Sequence, residues 1–284
     1  MNSGARYYTM NALPFKNMRL LANTVAALLC TLLFILFTHA VPALAGRSCE
    51  GRPMTPQSIE RGLQLAEKTR HELDKTGAKV VVLARAGQDL SKYNLRYSHL
   101  GYAYKTADGR WLVLHKLNSC GSDEASIYRQ GLGEFFLDDL YRYQAAWIVP
   151  APEVQNALHA ALNDPRASIA MHHKRYNMLA YPWSTRYQQS NQWAIETLAA
   201  AMDAGIRSRV QAQAWLQLKA FQPTTLHLGP LTRLGGRITA ANIAFDDHPN
   251  EKRFSGRIET TTVDSVMRWL TQSGLGGTLQ EIYL

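Results

Sequence analysis

The chain has 284 residues, 46% of them hydrophobic and 19% charged, with 31 basic against 22 acidic residues and a formal net charge of +9. That apolar content excludes disorder over the whole chain, and the length allows one large or two small domains. Three cysteines are too few for a zinc ribbon or a disulfide-dense scaffold.

Residues 18–45 read as a secretory signal. Lys16 and Arg19 supply positive charge, residues 20–37 are apolar apart from Asn23, Thr24 and Thr31, and Pro42 ends any helix. Ala43-Leu44-Ala45 fits the small-x-small cleavage rule, which predicts cleavage before Gly46 and a periplasmic or secreted product. A retained membrane anchor is the alternative, because the run approaches spanning length. Residues 1–17 are polar and unpatterned, so Met18 is a second candidate start. Removing residues 1–45 leaves 28 basic against 22 acidic residues, net +6, scattered and without a long basic run. Nucleic acid is a poor partner for such a chain. The expected partners are an envelope small molecule, peptide or lipid, with the membrane engaged only through the signal segment. Cys49 and Cys120 remain, and an oxidising compartment favours a disulfide between them.

Thr55-Pro56 opens a helix that Gly77 stops. Residues 79–85 form a buried strand. Residues 97–105 and 110–117 form two more, joined by Ala107-Asp108-Gly109, a three-residue loop suited to a type I turn closed by a left-handed glycine. A short helix over 134–141, a strand over 144–149 and a helix over 153–162 follow. Ala-rich residues 192–202 are helical, Ser208 caps another helix, residues 226–245 look β-like because of their glycines, and Thr262 starts the last helix. The fold class is α+β, with a core over 46–205 and a C-terminal extension over 206–284 packed on it.

The chemistry centres on two places. His99, in Ser98-His99-Leu100-Gly101-Tyr102, alternates with the small residues Gly101 and Ala103. With the three-residue loop, His99 opposes Leu117, and His115 lies on the same face, diagonal, about 7–8 Å away between β-carbons. A two-residue loop would turn His115 to the other face. Two histidines on one face suit a general base and its orienting partner; they also suit a pair of structural strand histidines. The second place is Ser190, at the start of the helix containing Trp193, Ala194, Thr197 and Leu198. Free N–H groups there would stabilise an anion, and a serine there is also an ordinary helix cap.

His99 in its Ser-His-hydrophobic-Gly setting, His115 on the next strand and Ser190-Asn191-Gln192-Trp193 opening a helix resemble the circularly permuted papain-like folds, the NlpC-type peptidases and lecithin–retinol-acyltransferase-like proteins. The match covers about residues 80–202, and the whole chain also resembles an uncharacterised bacterial family of exported proteins. The resemblance implies a papain-like antiparallel sheet packed with helices. It also implies a hydrolase or acyl transferase acting on an amide or ester of an envelope component, with Ser190 as nucleophile, His99 as base and His115 as orienter. Glu196 is a reserve orienter. Serine stands where that family has cysteine, so Ser190 is either a serine variant of the nucleophile or a lost one. In the second case the protein is a non-catalytic binding module on the same fold. Cys120 is the other thiol near His115.

No cofactor or metal is expected. His172-His173 point to opposite faces if extended, and Asp246-Asp247-His248-Pro249-Asn250 reads as a turn. Tyr176, Tyr181, Trp183, Tyr187 and Trp193 either wall a cleft or pack in the core.

Overall fold

The computed structural model describes residues 53–284 apart from Asp139. The signal segment and Cys49 lie outside the described residues, and the Cys49–Cys120 pairing with them.

Helix α1 (Pro56–Lys75) starts at a capping box in which Thr55 and Ser58 bond reciprocally, with Pro56 in the first turn. It stops at Thr76, followed by Gly77 at φ +65°. Six strands form one antiparallel sheet in the order β4-β3-β2-β1-β5-β8: β1 (Val80–Ala86), β2 (His99–Lys105), β3 (Trp111–Asn118), β4 (Ala125–Gly131), β5 (Arg142–Ile148) and β8 (Gln280–Tyr283). Helices cover both faces, which explains the unbroken apolar run of β1: a strand buried on two sides has no solvent face to alternate toward. Val81 and Leu83 point toward α1 and the short helix α2 (Leu132–Phe136), packing with Leu65, Leu73, Phe135 and Trp147. Val80, Val82 and Ala84 point the other way, toward α3 (Pro152–Asn163), α4 (Ser190–Met202), α5 (Arg209–Leu218) and α8 (Val263–Gln272). Residues beyond 205 thus enter the same core, and β8 pairs with β5 at the sheet edge.

The β2–β3 hairpin has the three-residue loop. Thr106 N–H donates to the Arg110 carbonyl at 2.8 Å, Gly109 N–H to the Thr106 carbonyl at 2.9 Å, and Gly109 sits at φ +82°. Pairing from Lys105↔Trp111 to Tyr102↔Leu114 fixes the register, and its continuation sets Gly101 opposite His115.

Two sequence expectations fail here, and one strand goes unread in the sequence. Residues 226–245 are not a β region: only β6 (Thr224–His227) is a strand, paired with β7 (Arg257–Thr260), and Pro230–Thr239 is helix α6. Gly235 and Gly236 disfavour a helix by about 1 kcal/mol each, but Pro230 in the first turn nucleates it, and Gly236 packs its bare Cα toward Ile243. Strand β4 was not expected; it is a half-exposed edge strand whose side chains alternate weakly in hydropathy. The helix expected over 134–141 is the five-residue α2. A short helix α7 (Asn250–Phe254) lies between α6 and β7.

Candidate functional site

Parity along β2 and β3 places His99 and His115 on the face that carries α1 and α2. Gly101 is required there: a β-carbon on it would lie 2.8 Å from His115 Cβ, 2.9 Å from Val113 Cγ1 and 3.0 Å from the Leu114 carbonyl. Phe135 of α2 packs edge-on against the His115 ring at 5.3 Å. Helix α4 lies on the opposite face, where Trp193 is fully buried against Tyr102 and the Tyr102 hydroxyl donates to the Ala194 carbonyl. Its first turn is clamped to the beginning of β2, because Leu100 N–H donates to Asn191 Oδ1 at 3.2 Å. Asn191 Nδ2 also donates to the Thr261 carbonyl. The helix start therefore meets the strand start, and Ser190 reaches the His99 ring around the end of the sheet.

Ser190 Oγ lies 3.3 Å from His99 Nδ1, His99 Nε2 lies 2.9 Å from His115 Nδ1, and His115 Nε2 lies 2.7 Å from Gln130 Oε1. The proton positions follow from the far end. An amide oxygen only accepts, so His115 Nε2 carries a hydrogen. Burial, reinforced by the Arg85 guanidinium, pushes the His115 pKa down to about 4. His115 is therefore neutral at pH 7, and its Nδ1 is a lone pair. That lone pair accepts from His99 Nε2–H, which in the neutral imidazole leaves His99 Nδ1 without a hydrogen on the Ser190 side. The line Gln130–His115–His99–Ser190 thus has a single polarity, with the hydroxyl hydrogen at the accepting end of a base.

Ser190 is not the helix cap. Gln189 holds that position without a side-chain cap bond, and Ser190 is the first helical residue. Its own N–H and those of Asn191 and Gln192 belong to the first turn, where no carbonyl stands one turn back to receive them. Buried Tyr176 is a further neighbour of Ser190: burial pushes its hydroxyl pKa up to about 12, against the opposing effect of the Ser190 hydroxyl. Tyr176 and Gln130 are the participants that the sequence did not reveal. Gln130 sits on the unexpected strand β4, and a glutamine carries no motif of its own. In the sequence Tyr176 is one of several aromatics with nothing to single it out.

Glu196, one and a half turns into α4, stands apart from this line. It receives Arg209 Nε at 2.7 Å, Gln213 Nε2 at 2.8 Å and Gln188 Nε2 at 2.5 Å in a buried network. Lys116 joins through Gln188 Oε1 at 2.7 Å and the His173 carbonyl at 2.6 Å. Burial, aided by Arg209 and opposed by Glu196, lowers the Lys116 pKa to about 7. These residues brace α4 against β3 and α5. Among the other aromatics, Tyr187 is buried, Trp183 packs on Phe221, and Tyr181 packs on His248. The Asp246–Asn250 stretch is a turn into α7, with His248 fixed by Asp247 and the Glu259 carbonyl. Cys120 is exposed in the turn after β3. Among the described residues, no three His, Cys, Asp or Glu side chains converge so as to hold a metal ion.

A bacterial family profile matches residues 72–270, a span that contains every member of the Ser190 line. The chain belongs to the family described as uncharacterized protein conserved in bacteria (DUF2145). No curated protein and no solved structure matches it. The DUF2145 match begins within α1 and ends within α8, so β8 lies beyond it.

Proposed function

We propose that this DUF2145 protein is an exported serine-dependent hydrolase or acyl transferase of papain-like type, acting on an amide or ester of an envelope component. The observation that carries the reading is the uninterrupted line from Ser190 Oγ through His99 and His115 to Gln130. The chain order, with the base on one strand, its orienter on the next and the nucleophile opening a later helix, fits a circularly permuted papain-like arrangement. The signal-like residues 18–45 fit an envelope location.

In this reading Ser190 Oγ attacks the substrate carbonyl carbon while its proton passes to His99 Nδ1. The carbonyl π electrons move to oxygen, and first-turn N–H groups of α4 receive that oxyanion. The imidazolium on His99 is stabilised through Nε2–H to the His115 lone pair. Collapse expels the leaving amine or alkoxide, which takes the proton from His99 Nδ1 and leaves an acyl-serine ester. Water or an acceptor hydroxyl or amine, deprotonated by His99, then releases Ser190. A serine hydroxyl is far less acidic than a thiol, so it needs a base already held in the accepting tautomer.

One observation favours a second reading. His99 is only 8% exposed and Ser190 only 5%, as expected of a non-catalytic binding module that keeps the fold and uses Ser190 as a structural hydrogen-bond partner. A fluorophosphonate probe separates the two. Labelling of the protein that is lost in both Ser190→Ala and His99→Ala supports the hydrolase; no labelling, or labelling unchanged in Ser190→Ala, supports the binding module.

A further inference from the structure

Helix α6 is amphipathic in the unusual sense that its apolar stripe faces out. Leu231, Leu234 and Ile238 are 83%, 55% and 73% exposed. Their i, i+3, i+7 spacing puts them on one face. The opposite face is the attached one, where buried Gly236 meets Ile243. Phe254 of α7, 71% exposed, extends the apolar surface; α7 is tied to α6 by Arg233 Nη1 donating to the Arg253 carbonyl. The charges beside this surface are mostly of one sign. Helix α6 has Arg233 and Arg237 and no acidic residue, α7 has Lys252 and Arg253 against one exposed carboxylate, Glu251, and Arg257 is exposed on β7. Lys252 is spent on Glu259, Asp246 is engaged by Arg186 and Asp247 by His248, so Arg237, Arg253 and Arg257 outnumber the remaining Glu251 beside the stripe.

We propose that α6 is a membrane-surface helix, which lays Leu231, Leu234 and Ile238 into the interface of an anionic bilayer while the arginines meet lipid phosphates. Three features select a bilayer over a protein. The apolar residues of α6 are branched aliphatics, and Phe254 beside them stands 71% exposed rather than seated in a pocket as the aromatic anchors of protein interfaces are. The flanking charge complements anionic headgroups. The same chain carries the signal-like apolar run 20–37, which fits a place at the cell envelope. This anchoring goes beyond the signal segment, and it is independent of the Ser190 chemistry.

The test is hydrogen–deuterium exchange on the full chain, read on peptides covering 230–239. These amides are expected to exchange more slowly with vesicles of equal parts phosphatidylglycerol and phosphatidylcholine, but not with phosphatidylcholine alone. Raised salt should weaken the protection. The triple variant L231S/L234S/I238S should require roughly tenfold more lipid for the same protection. Its melting temperature should be unchanged, since the three side chains are exposed. Exchange unaffected by anionic vesicles overturns the proposal, as does a triple variant protected like the wild type. Protection that appears with protein concentration in the absence of lipid also overturns it, by assigning the face to a second copy of the chain.

Discussion

His115 and Gly101 face each other across the β2–β3 hairpin so closely that a single added β-carbon would stand 2.8 Å from His115 Cβ. The missing side chain is what lets His115 tilt under His99 and place Nδ1 2.9 Å from His99 Nε2. The relation depends on the three-residue loop 107–109, because a loop shorter by one residue would send His115 to the α4 face.

Gly101→Ala is therefore expected to disturb the relay before it disturbs the fold. Two of the three atoms that the new methyl meets belong to side chains, but the third is the Leu114 carbonyl, which cannot swing away. A loss of about 1–3 kcal/mol is expected from overpacking of this kind. Chemical denaturation measures it, and NMR should show altered His115 and His99 ring resonances in the folded variant. Unchanged ring resonances would show that Gly101 does not set this geometry.

Gln130 sets both tautomers from outside the histidine pair. Gln130→Met should leave the buried His115 Nε2–H without an acceptor, at a cost of about 1–3 kcal/mol, and free His115 to move its proton to Nδ1. His99 would then lose its acceptor and could present N–H rather than a lone pair to Ser190. Gln130→Glu keeps an accepting oxygen and should keep the tautomers, while raising the His115 pKa through its negative charge. Nitrogen-15 shifts of the imidazoles distinguish these outcomes. A His99 tautomer that is the same in Gln130→Met as in the wild type would remove Gln130 from the relay.

Ser190→Cys offers a readout that needs no substrate. A thiol about 3.3 Å from the unprotonated His99 Nδ1, at a helix start, should ionise below its ordinary pKa near 8.5. Iodoacetamide at pH 7 should alkylate it faster than a model thiol, by about tenfold if the pKa falls by one unit or more. Adding His99→Ala should abolish the acceleration. An equally fast reaction in the double variant would mean that His99 does not act on position 190.

Much of this site is legible in the sequence, for definite reasons. Gly109 after Ala107-Asp108 encodes one turn, the turn encodes the register, and the register encodes which histidines share a face. Thr55-Pro56 and Thr262 are caps whose hydrogen bonds are local, and the structure forms both. What could not be read depended on tertiary contact. Strand β4 is held by pairing with β3 rather than by its own pattern, so Gln130 was invisible with it. Helix α6 carries two glycines that locally argue against it. Ser190 looked like a cap because caps are common. The clamp of Asn191 onto Leu100, a tertiary contact, is what brings the start of α4 beside His99.

The buried histidine also predicts how stability responds to acid. In the folded chain the His115 pKa is depressed to about 4, from an ordinary value of 6.5, chiefly by burial. The unfolded chain therefore binds a proton on this residue between pH 6.5 and 4 that the folded chain refuses. Stability rises with pH wherever the unfolded state holds more protons. The His115 contribution is thus complete above pH 6.5, declines as pH falls toward 4, and is flat below that. One proton corresponds to a slope of about 1.4 kcal/mol per pH unit in the middle of the window. His172, also lowered to about 4 through burial, adds in the same direction, but its partial exposure weakens its share. Urea titrations at half-unit steps from pH 7 to 4 should show this decline, and His115→Gln, which carries no titrating group, should flatten it by the His115 share. Parallel wild-type and His115→Gln curves would show that His115 titrates alike in both states, and the neutral, accepting His115 on which the relay depends would be lost with that result.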